Sequence, residues 1–169
     1  INLLASLNSQ ILSEHGQLEV VAPWLHKLVS GEALCAIALT EPRGGSDAGN
    51  LRLRVERQGD HYLVNGEKIW ISVAQVANKM MLLARTTPLE DVKRKTDGLS
   101  LFFTDLDRSK IEVRMIHKMG RHAVDSNMLF ISDLWIPEED RIGPEGEGFR
   151  TILHGFNPER ILIGAEAVG

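Results

Sequence analysis

The residues best suited to chemistry in this sequence lie in the stretch ALTEPRGGSDAGN, from Ala38 to Asn50. This stretch follows the apolar, strand-like run ALCAIAL and contains more polar and glycine residues than a plain turn needs. The hydroxyl groups of Thr40 and Ser46 can donate and accept hydrogen bonds, and Gly44 and Gly45 allow backbone N–H groups to approach a ligand closely. By composition alone, an elaborate β-turn is slightly favoured over a ligand-binding loop.

A second candidate is the segment EKIWIS. Trp70 and Ser72 are two residues apart, so a strand would place both side chains on the same face. An aromatic plane beside a hydroxyl group suits a planar heteroaromatic ligand. A half-buried core tryptophan is the commoner situation and remains the alternative.

A third candidate is the carboxylate in NPERI, where Glu159 precedes Arg160 in an apolar, helix-like segment. The simpler reading is an acidic residue favoured by the dipole at the start of a helix. The functional reading is a general base.

Two further motifs are not predicted to carry chemistry. His117 and His122 lie five residues apart without a third ligand at a recognisable spacing, so HKMGRHAVDSN is predicted to be a surface loop and no metal site is predicted. The segment GPEGEGF lacks the Lys-Ser/Thr pair of a phosphate-binding loop and is predicted to lead into a helix.

The composition of the chain argues against some classes of binding partner. The 169-residue chain has a formal net charge of -4 and contains no basic block, which argues against nucleic acid and anionic membrane as partners. No apolar run is long enough for stable membrane insertion, and no signal-peptide pattern begins the chain. The single cysteine, Cys35, lies in an apolar run and is predicted to be a buried free thiol, which fits a reducing compartment.

The apolar pattern predicts helices, then strands, then a helix, in an α+β fold. Residues 1–32 have helical spacing, with apolar residues near one face and with Gly16 and Gly31 as stops; these apolar residues are Ile1, Leu4, Leu7, Ile11 and Leu12. Both chain ends are apolar and helix-like, so the sequence is predicted to be an internal segment of a longer protein.

Residues 33–142 are predicted to form an antiparallel β-barrel or sandwich, because short strand-like runs are separated by turn residues at short intervals. Asn65-Gly66 is predicted to form a hairpin turn, and residues 89–97 a charged loop. Residues 143–169 are predicted to be helical. There, Asn157 is either an N-cap with Pro158 at the first helical position, or part of one long helix kinked at Pro158.

Taken in order, four segments resemble the acyl-CoA dehydrogenase family over nearly the whole chain: LTEPRGGSDAGN, VNGEKIWIS, KMGRHAVDSNMLFISDLWIPEEDRIGPEGEGF and PERILIGAEAVG. The resemblance implies the end of an N-terminal helical domain at 1–32, a middle β-domain at 33–142 and the first helix of a C-terminal helical domain at 143–169. It also implies FAD as cofactor. One departure from the family pattern is Val73-Ala74, where many members have Asn-Gly.

The resemblance implies a role for each candidate residue. It places six residues beside the flavin, with Thr40 at the pyrimidine side of the ring and Ser72 reaching N5; these are Ile37, Leu39, Thr40, Ser46, Trp70 and Ser72. It places Ser46, Asn157 and Arg160 with the substrate. Glu159 occupies the position that carries the catalytic base in a subset similar to the isovaleryl and long-chain enzymes, whereas most members carry the base further along the chain.

The implied reaction is the α,β-dehydrogenation of an acyl-CoA thioester, with electron-transfer flavoprotein as acceptor. The implied assembly is a homo-oligomer, a dimer or a tetramer, in the bacterial cytoplasm or the mitochondrial matrix. Two alternatives are an acyl-CoA oxidase or related flavin monooxygenase that uses oxygen, and a non-catalytic relative that binds acyl-CoA.

Overall fold

Residues 2–30 form two helices, as the sequence predicts. The computed structural model describes the backbone of residues 2–169 and the side chains of residues 7–169; Ile1 and the side chain of Leu4 lie outside this description. Helix α1 spans Asn2–His15 and helix α2 spans Leu18–Ser30. Gly31 ends α2 in the left-handed conformation, with φ of 80°, which a glycine adopts at little cost.

The middle of the chain forms one sheet. Its eight strands within the described residues are β1 Cys35–Ala38, β2 Arg54–Gln58, β3 His61–Ser72, β4 Lys79–Arg85, β5 Leu99–Asp105, β6 Ile111–Met115, β7 Ser126–Pro137 and β8 Arg141–Ile142. Their order is β6-β7-β3-β2-β4-β5-β8, and β1 also pairs with β4. Most pairs are antiparallel, as predicted, but β4 is parallel to both β1 and β2. The predicted α+β class is confirmed, whereas these parallel pairs and the short β8 were not predicted.

Strand β4 is buried along its whole length, which explains why its sequence lacks polar alternation. Met81 and Leu83 belong to the core shared with α1, α2 and β5. Met80 and Leu82, on the opposite face, belong to the core shared with β3 and β7. Helices therefore cover one face of β4, and the rest of the sheet covers the other.

The predicted hairpin at Asn65-Gly66 is wrong. Strand β3 runs through both residues, and the chain reverses instead at Gly59-Asp60, between β2 and β3. Gly66 lies at a bulge in the pairing of β3 with β7, with φ of 147°, and a Cβ atom there would lie 3.0 Å from Cγ of Leu53. The Asn-Gly pair is a local signal, and it was overridden by the long-range pairing of β3 with β7.

The last element is helix α3, Gly148–Val168, which continues through Pro158. The predicted N-cap role of Asn157 is therefore wrong, and the alternative of one continuous helix holds. The side-chain oxygen of Asn157 instead accepts a hydrogen bond from Nη1 of Arg160 at 3.1 Å. Helix α3 packs on α1 and β5. The predicted boundaries of the three segments, 1–32, 33–142 and 143–169, remain a prediction.

Two smaller predictions concern burial and membrane insertion. Cys35 is buried, as predicted, and burial raises the pKa of its thiol. In the described residues, no helix combines the length and the apolar character needed to cross a bilayer.

The bulge at Gly66 generates a test of the corrected topology. We expect Gly66→Ala to lower the free energy of unfolding by about 1–3 kcal/mol, because an alanine would adopt a strained backbone conformation against Leu53. The measurement is urea denaturation. Gly120→Ala is the control, since Gly120 has no positive φ and a Cβ atom there would have no neighbour within 4 Å. Equal effects of the two substitutions would contradict the bulge.

Candidate active site

The candidate site is organised around the ammonium group of Lys68 in the middle of β3. The side chain is 0% exposed. Its Nζ atom donates hydrogen bonds to the carbonyl oxygens of Leu39 at 2.9 Å and Leu83 at 2.7 Å, and to Oε1 of Glu41 at 3.0 Å. Burial lowers the pKa of Lys68 to about 8, although the carboxylate of Glu41 acts in the opposite direction. One cation therefore joins β3, β4 and the end of β1.

The carboxylate of Glu41 is the other half of this interaction. Its Oε2 accepts a hydrogen bond from the backbone N–H of Arg52 at 2.7 Å, and its Oε1 accepts one from the backbone N–H of Leu53 at 3.0 Å. The backbone N–H of Gly44 donates to the carbonyl oxygen of Glu41 at 3.0 Å and closes a tight turn. Because each oxygen of this buried carboxylate has a partner, Glu41 fixes both ends of the loop at residues 41–53.

This arrangement brings the predicted residues around Thr40 next to those of β3. Thr40 lies between Leu39 and Glu41, both of which Lys68 contacts. The carbonyl oxygen of Thr40 also accepts a hydrogen bond from the N–H of Ile69 at 2.9 Å, the residue before Trp70. The loop and the Trp-Ile-Ser segment are therefore adjacent, as a shared ligand site requires.

Trp70 is held in an uncommon backbone conformation. The pairing of β3 with β7 shifts between Lys68 and Ile71, and Trp70 has φ of 63°. Its side chain is 55% exposed, whereas that of the next residue, Ile71, is buried. A non-glycine residue with positive φ marks a position that the surrounding structure fixes, and such positions cluster at functional sites.

The departure at Val73-Ala74 does not prevent a turn. Val73 adopts φ of 57°, and its carbonyl oxygen accepts hydrogen bonds from the N–H groups of Val76 at 3.1 Å and Ala77 at 2.9 Å. An Asn-Gly pair would adopt this conformation more readily, because positive φ is strained for a β-branched residue.

The other predicted residues near the loop differ in burial. Ile37 lies within β1, and its side chain and that of Leu39 pack against the core that the helices cover. Ser46 is exposed in the loop. The glycine before it, Gly45, lies against Thr40, since a Cβ atom there would be 3.5 Å from Cγ2 of Thr40. The loop thus folds back toward the strand end from which it started.

Arg85, at the end of β4, anchors the far side of the loop. Its guanidinium group donates to the carbonyl oxygens of Gly49 at 2.8 Å, Leu51 at 2.9 Å and Lys95 at 2.7 Å. It also donates to the carbonyl oxygen of Asp97 at 3.0 Å. The predicted charged loop at 89–97 is thereby tied to the loop that follows Thr40.

Sequence reasoning missed Lys68, Glu41 and Arg85 as contributors to the site. One signal was available. Tyr62 and Val64 are the inward-facing residues of β3, and a lysine on the buried side of such a strand needs an acidic partner. Glu41, which directly follows a buried strand, is the kind of partner to search for.

The predicted base, Glu159, lies on a different element. It is half-buried on α3, and burial raises the pKa of its carboxyl group, opposed by the charge of Arg160. Asn157 and Arg160 are exposed and hydrogen-bonded to each other. Among the described residues, no hydrogen bond joins Glu159 to the Thr40 loop or to Trp70. The predicted site residues therefore form two groups, one around Lys68 and one on α3.

The polar segment before β7 is a surface loop, as predicted. His117 and His122 lie in it, between β6 and β7. Arg121 in this loop forms an ion pair with Glu166 of α3. The loop therefore contacts the second half of α3.

The Lys68–Glu41 pair generates a prediction about stability. We expect Lys68→Met to lower the free energy of unfolding by about 3–5 kcal/mol, because it leaves the carboxylate of Glu41 buried without its cation. The double variant Glu41→Gln/Lys68→Met should recover part of this loss. Chemical denaturation measures both effects.

The control for this pair is Arg54→Met, which removes the exposed ion pair of Arg54 with Glu56 and should cost about 0–1 kcal/mol. If Lys68→Met cost no more than this control, Lys68 would not hold the site together.

Known proteins of similar sequence and structure match most of this chain. The family description "Acyl-CoA dehydrogenase, middle domain" matches residues 36–134. A short-chain specific acyl-CoA dehydrogenase of Clostridium acetobutylicum is 33% identical over 97% of this chain and 42% of its own length. The subunit CarC of the caffeyl-CoA reductase–Etf complex of Acetobacterium woodii is 30% identical over 91% of this chain and 40% of its own length.

The long-chain specific mitochondrial acyl-CoA dehydrogenase of Mus musculus is 30% identical over 96% of this chain and 39% of its own length. The crystal structure of an acyl-CoA dehydrogenase from Geobacillus kaustophilus superposes with a TM-score of 0.85 at 33% identity, over 92% of this chain and 40% of that one. The chain spans about two fifths of the length of these relatives. The family match covers the Lys68-centred group and more than half of the sequence, and the chain therefore belongs to the acyl-CoA dehydrogenase family.

Proposed function

We propose that the protein carrying this chain catalyses the FAD-dependent α,β-dehydrogenation of an acyl-CoA thioester to the trans-2-enoyl-CoA. The observation that carries this proposal is the juxtaposition of the Thr40 loop and the Trp70–Ser72 segment, held by Lys68 within the family match. Residues that sequence reasoning assigned to a flavin are neighbours in space, although about thirty residues separate them in the chain.

The residue types at this place are ones that could hold a flavin. The indole of Trp70, near the end of β3, is 55% exposed. It lies two residues before the half-buried Ser72, and the residue before it, Ile69, donates a hydrogen bond to the carbonyl oxygen of the half-buried Thr40. A planar heteroaromatic ring would cover the indole face and accept or donate hydrogen bonds at its edge. We assign the flavin contacts to Ile37, Leu39, Thr40, Ser46, Trp70 and Ser72. Bound FAD supplies N5 as the acceptor for the hydride that leaves the β-carbon of the substrate.

Glu159 is the proposed base that removes the α-proton. A carboxylate is a weak base in water, and burial, which raises the pKa of Glu159, increases its affinity for that proton. Leu162 and Ile163, three and four residues further along α3, share the helix face of Glu159 and provide apolar surface from which water can be excluded. The resemblance of PERILIGAEAVG to the subset similar to the isovaleryl and long-chain enzymes supports this assignment, because it implies that Glu159 stands at the position of the base.

The substrate is inferred to belong to the class of acyl-CoA thioesters. Relatives named as short-chain and long-chain specific match at 33% and 30% identity, so the matched region is compatible with both. We assign Ser46, Asn157 and Arg160 to the substrate side. Asn157 and Arg160 are exposed on the helix that carries Glu159, and each has a polar group that a thioester ligand could meet.

The acceptor is proposed to be electron-transfer flavoprotein, in support of which one relative is named as a subunit of a reductase–Etf complex. We also infer a homo-oligomer. This inference rests on the family resemblance; the apolar side chains exposed on the second half of α3, including Ile161 at 74% and Val168 at 92%, lie where further helices of the C-terminal domain are expected to pack. Bacterial and mitochondrial relatives support the bacterial cytoplasm or the mitochondrial matrix as the compartment.

In the first test, the full-length protein that carries this chain is loaded with FAD and mixed anaerobically with acyl-CoAs of several chain lengths. We expect the flavin absorbance to bleach with wild type, and the rate to fall by at least about 10³-fold in Glu159→Gln without loss of FAD. Glu166→Gln is the control, because Glu166 is an exposed carboxylate on the same helix.

Bleaching that survives in Glu159→Gln would move the base elsewhere. No bleaching of wild type with any acyl-CoA would refute the proposed reaction. Rapid peroxide formation in air would favour the oxidase.

A second test concerns pH. The base must be ionised, so the rate of bleaching should fall as pH is lowered through the pKa of Glu159. Because burial raises this pKa, the fall should begin above the ordinary carboxyl range of about 4.3. Stopped-flow traces between about pH 4 and 9 measure it. A rate that stays constant down to the ordinary range, or the same acid limb in Glu159→Gln, would show that another group titrates.

A further inference from the structure

A cluster of metal-ligating side chains lies where the end of α1 meets α3, away from the residues assigned to the reaction. The two helices approach closely because α3 has Gly155 at the contact, where a Cβ atom would lie 2.5 Å from Cδ1 of Ile11. His15 lies one turn beyond Ile11 on α1, and His154 directly precedes Gly155 on α3. Their imidazole rings meet edge to face, with centroids 5.4 Å apart and planes inclined at 65°.

Three potential ligand atoms converge at this place. One carboxylate oxygen of Glu14 and one ring nitrogen each of His15 and His154 all lie within 4.8 Å of one another. Oε2 of Glu14 is 3.8 Å from Nε2 of His15. This distance is slightly longer than the separation of two ligand atoms around one bound ion. Small rotations of the Glu14 and His15 side chains would shorten it to that separation.

The Nε2 atom of His15 supplies an independent observation. It is shielded from solvent and has no hydrogen-bond partner in the part of the chain whose side chains are described. A buried polar atom without a partner is unfavourable, and native structures usually satisfy such atoms with protein, water or an ion. A cation bound between the two imidazoles would satisfy it.

We propose that Glu14, His15 and His154 form a binding site for a divalent transition-metal ion, with Zn²⁺ the best chemical match. Two imidazole nitrogens and one carboxylate oxygen are a zinc ligand set, whereas Ca²⁺ and Mg²⁺ prefer oxygen ligands alone. Three protein ligands leave a fourth tetrahedral position for water.

The bound ion would join the last turn of α1 to α3 and stabilise their contact. His154 is five residues before Glu159 on the same helix, and none of the three ligands belongs to the Lys68-centred group. The site therefore lies outside the proposed chemistry, and its existence does not depend on the proposed function.

The test uses protein without a histidine tag, stripped with EDTA and titrated with ZnCl₂ by isothermal calorimetry. We expect one saturable equivalent of zinc and a rise in the unfolding temperature when zinc is added. His154→Ala should weaken zinc binding by at least about 10-fold and abolish the rise. His26→Ala is the matched control, because His26 is exposed on α2 and should leave both unchanged.

Two further measurements keep the result decisive. Circular dichroism in EDTA should show that His154→Ala is folded, since His154 is exposed, and Glu14→Gln should also weaken zinc binding. The absence of saturable binding to wild type would overturn the proposal. So would equal affinity of wild type and a folded His154→Ala variant.

Discussion

The buried ammonium of Lys68 is the interaction on which the arrangement of the candidate site depends. A cation without solvent contact is stable in a protein only where acceptors surround it, and here three residues supply the acceptors: Leu39, Glu41 and Leu83. Movement of any of them would leave the buried ammonium short of an acceptor. These contacts fix the loop after β1 relative to β3. They therefore also fix Thr40, in that loop, relative to Trp70 on β3.

Arg85 is a second cation held by surrounding acceptors, at the edge of the site, but its acceptors are neutral carbonyl oxygens. Its guanidinium group meets backbone carbonyl oxygens from two loops, each of which contains one short 3-10 turn, at Ala48–Asn50 and Leu89–Asp91. The two cations differ in what they fix. Lys68 sets the strand end beside the residues assigned to the flavin, and Arg85 sets the path of the chain between residue 49 and residue 97.

Much of the fold could be predicted from the sequence, and the errors have a common cause. Helices α1 and α2 and the strands with clear apolar runs follow from local pattern. Gly66 is predicted in a turn, and the parallel pairs of β4 are not predicted, because contacts distant in sequence decide both. At Asn157 the second of the two predicted alternatives holds, since the helix continues through Pro158. The same limit applies to function: the family resemblance suggests roles for Thr40, Trp70 and Glu159, whereas the partners of Lys68 are visible only once β1, β3 and β4 are assembled. The convergence of His15 with His154 also arises only when α1 meets α3.

The parallel pairing of β1 with β4 has a consequence for how the chain folds. Cys35 pairs with Lys79, so 44 residues must be closed into a loop before this contact forms. The intervening hairpin of β2 and β3 is local and can form first, and it shortens the effective loop. Contacts between residues far apart in sequence slow folding, because the chain loses the entropy of closing the loop before the stabilising contact forms. The strand that leads into the Thr40 loop is therefore expected to join the sheet late, and the surface assigned to the flavin is expected to be among the last parts of the domain to assemble.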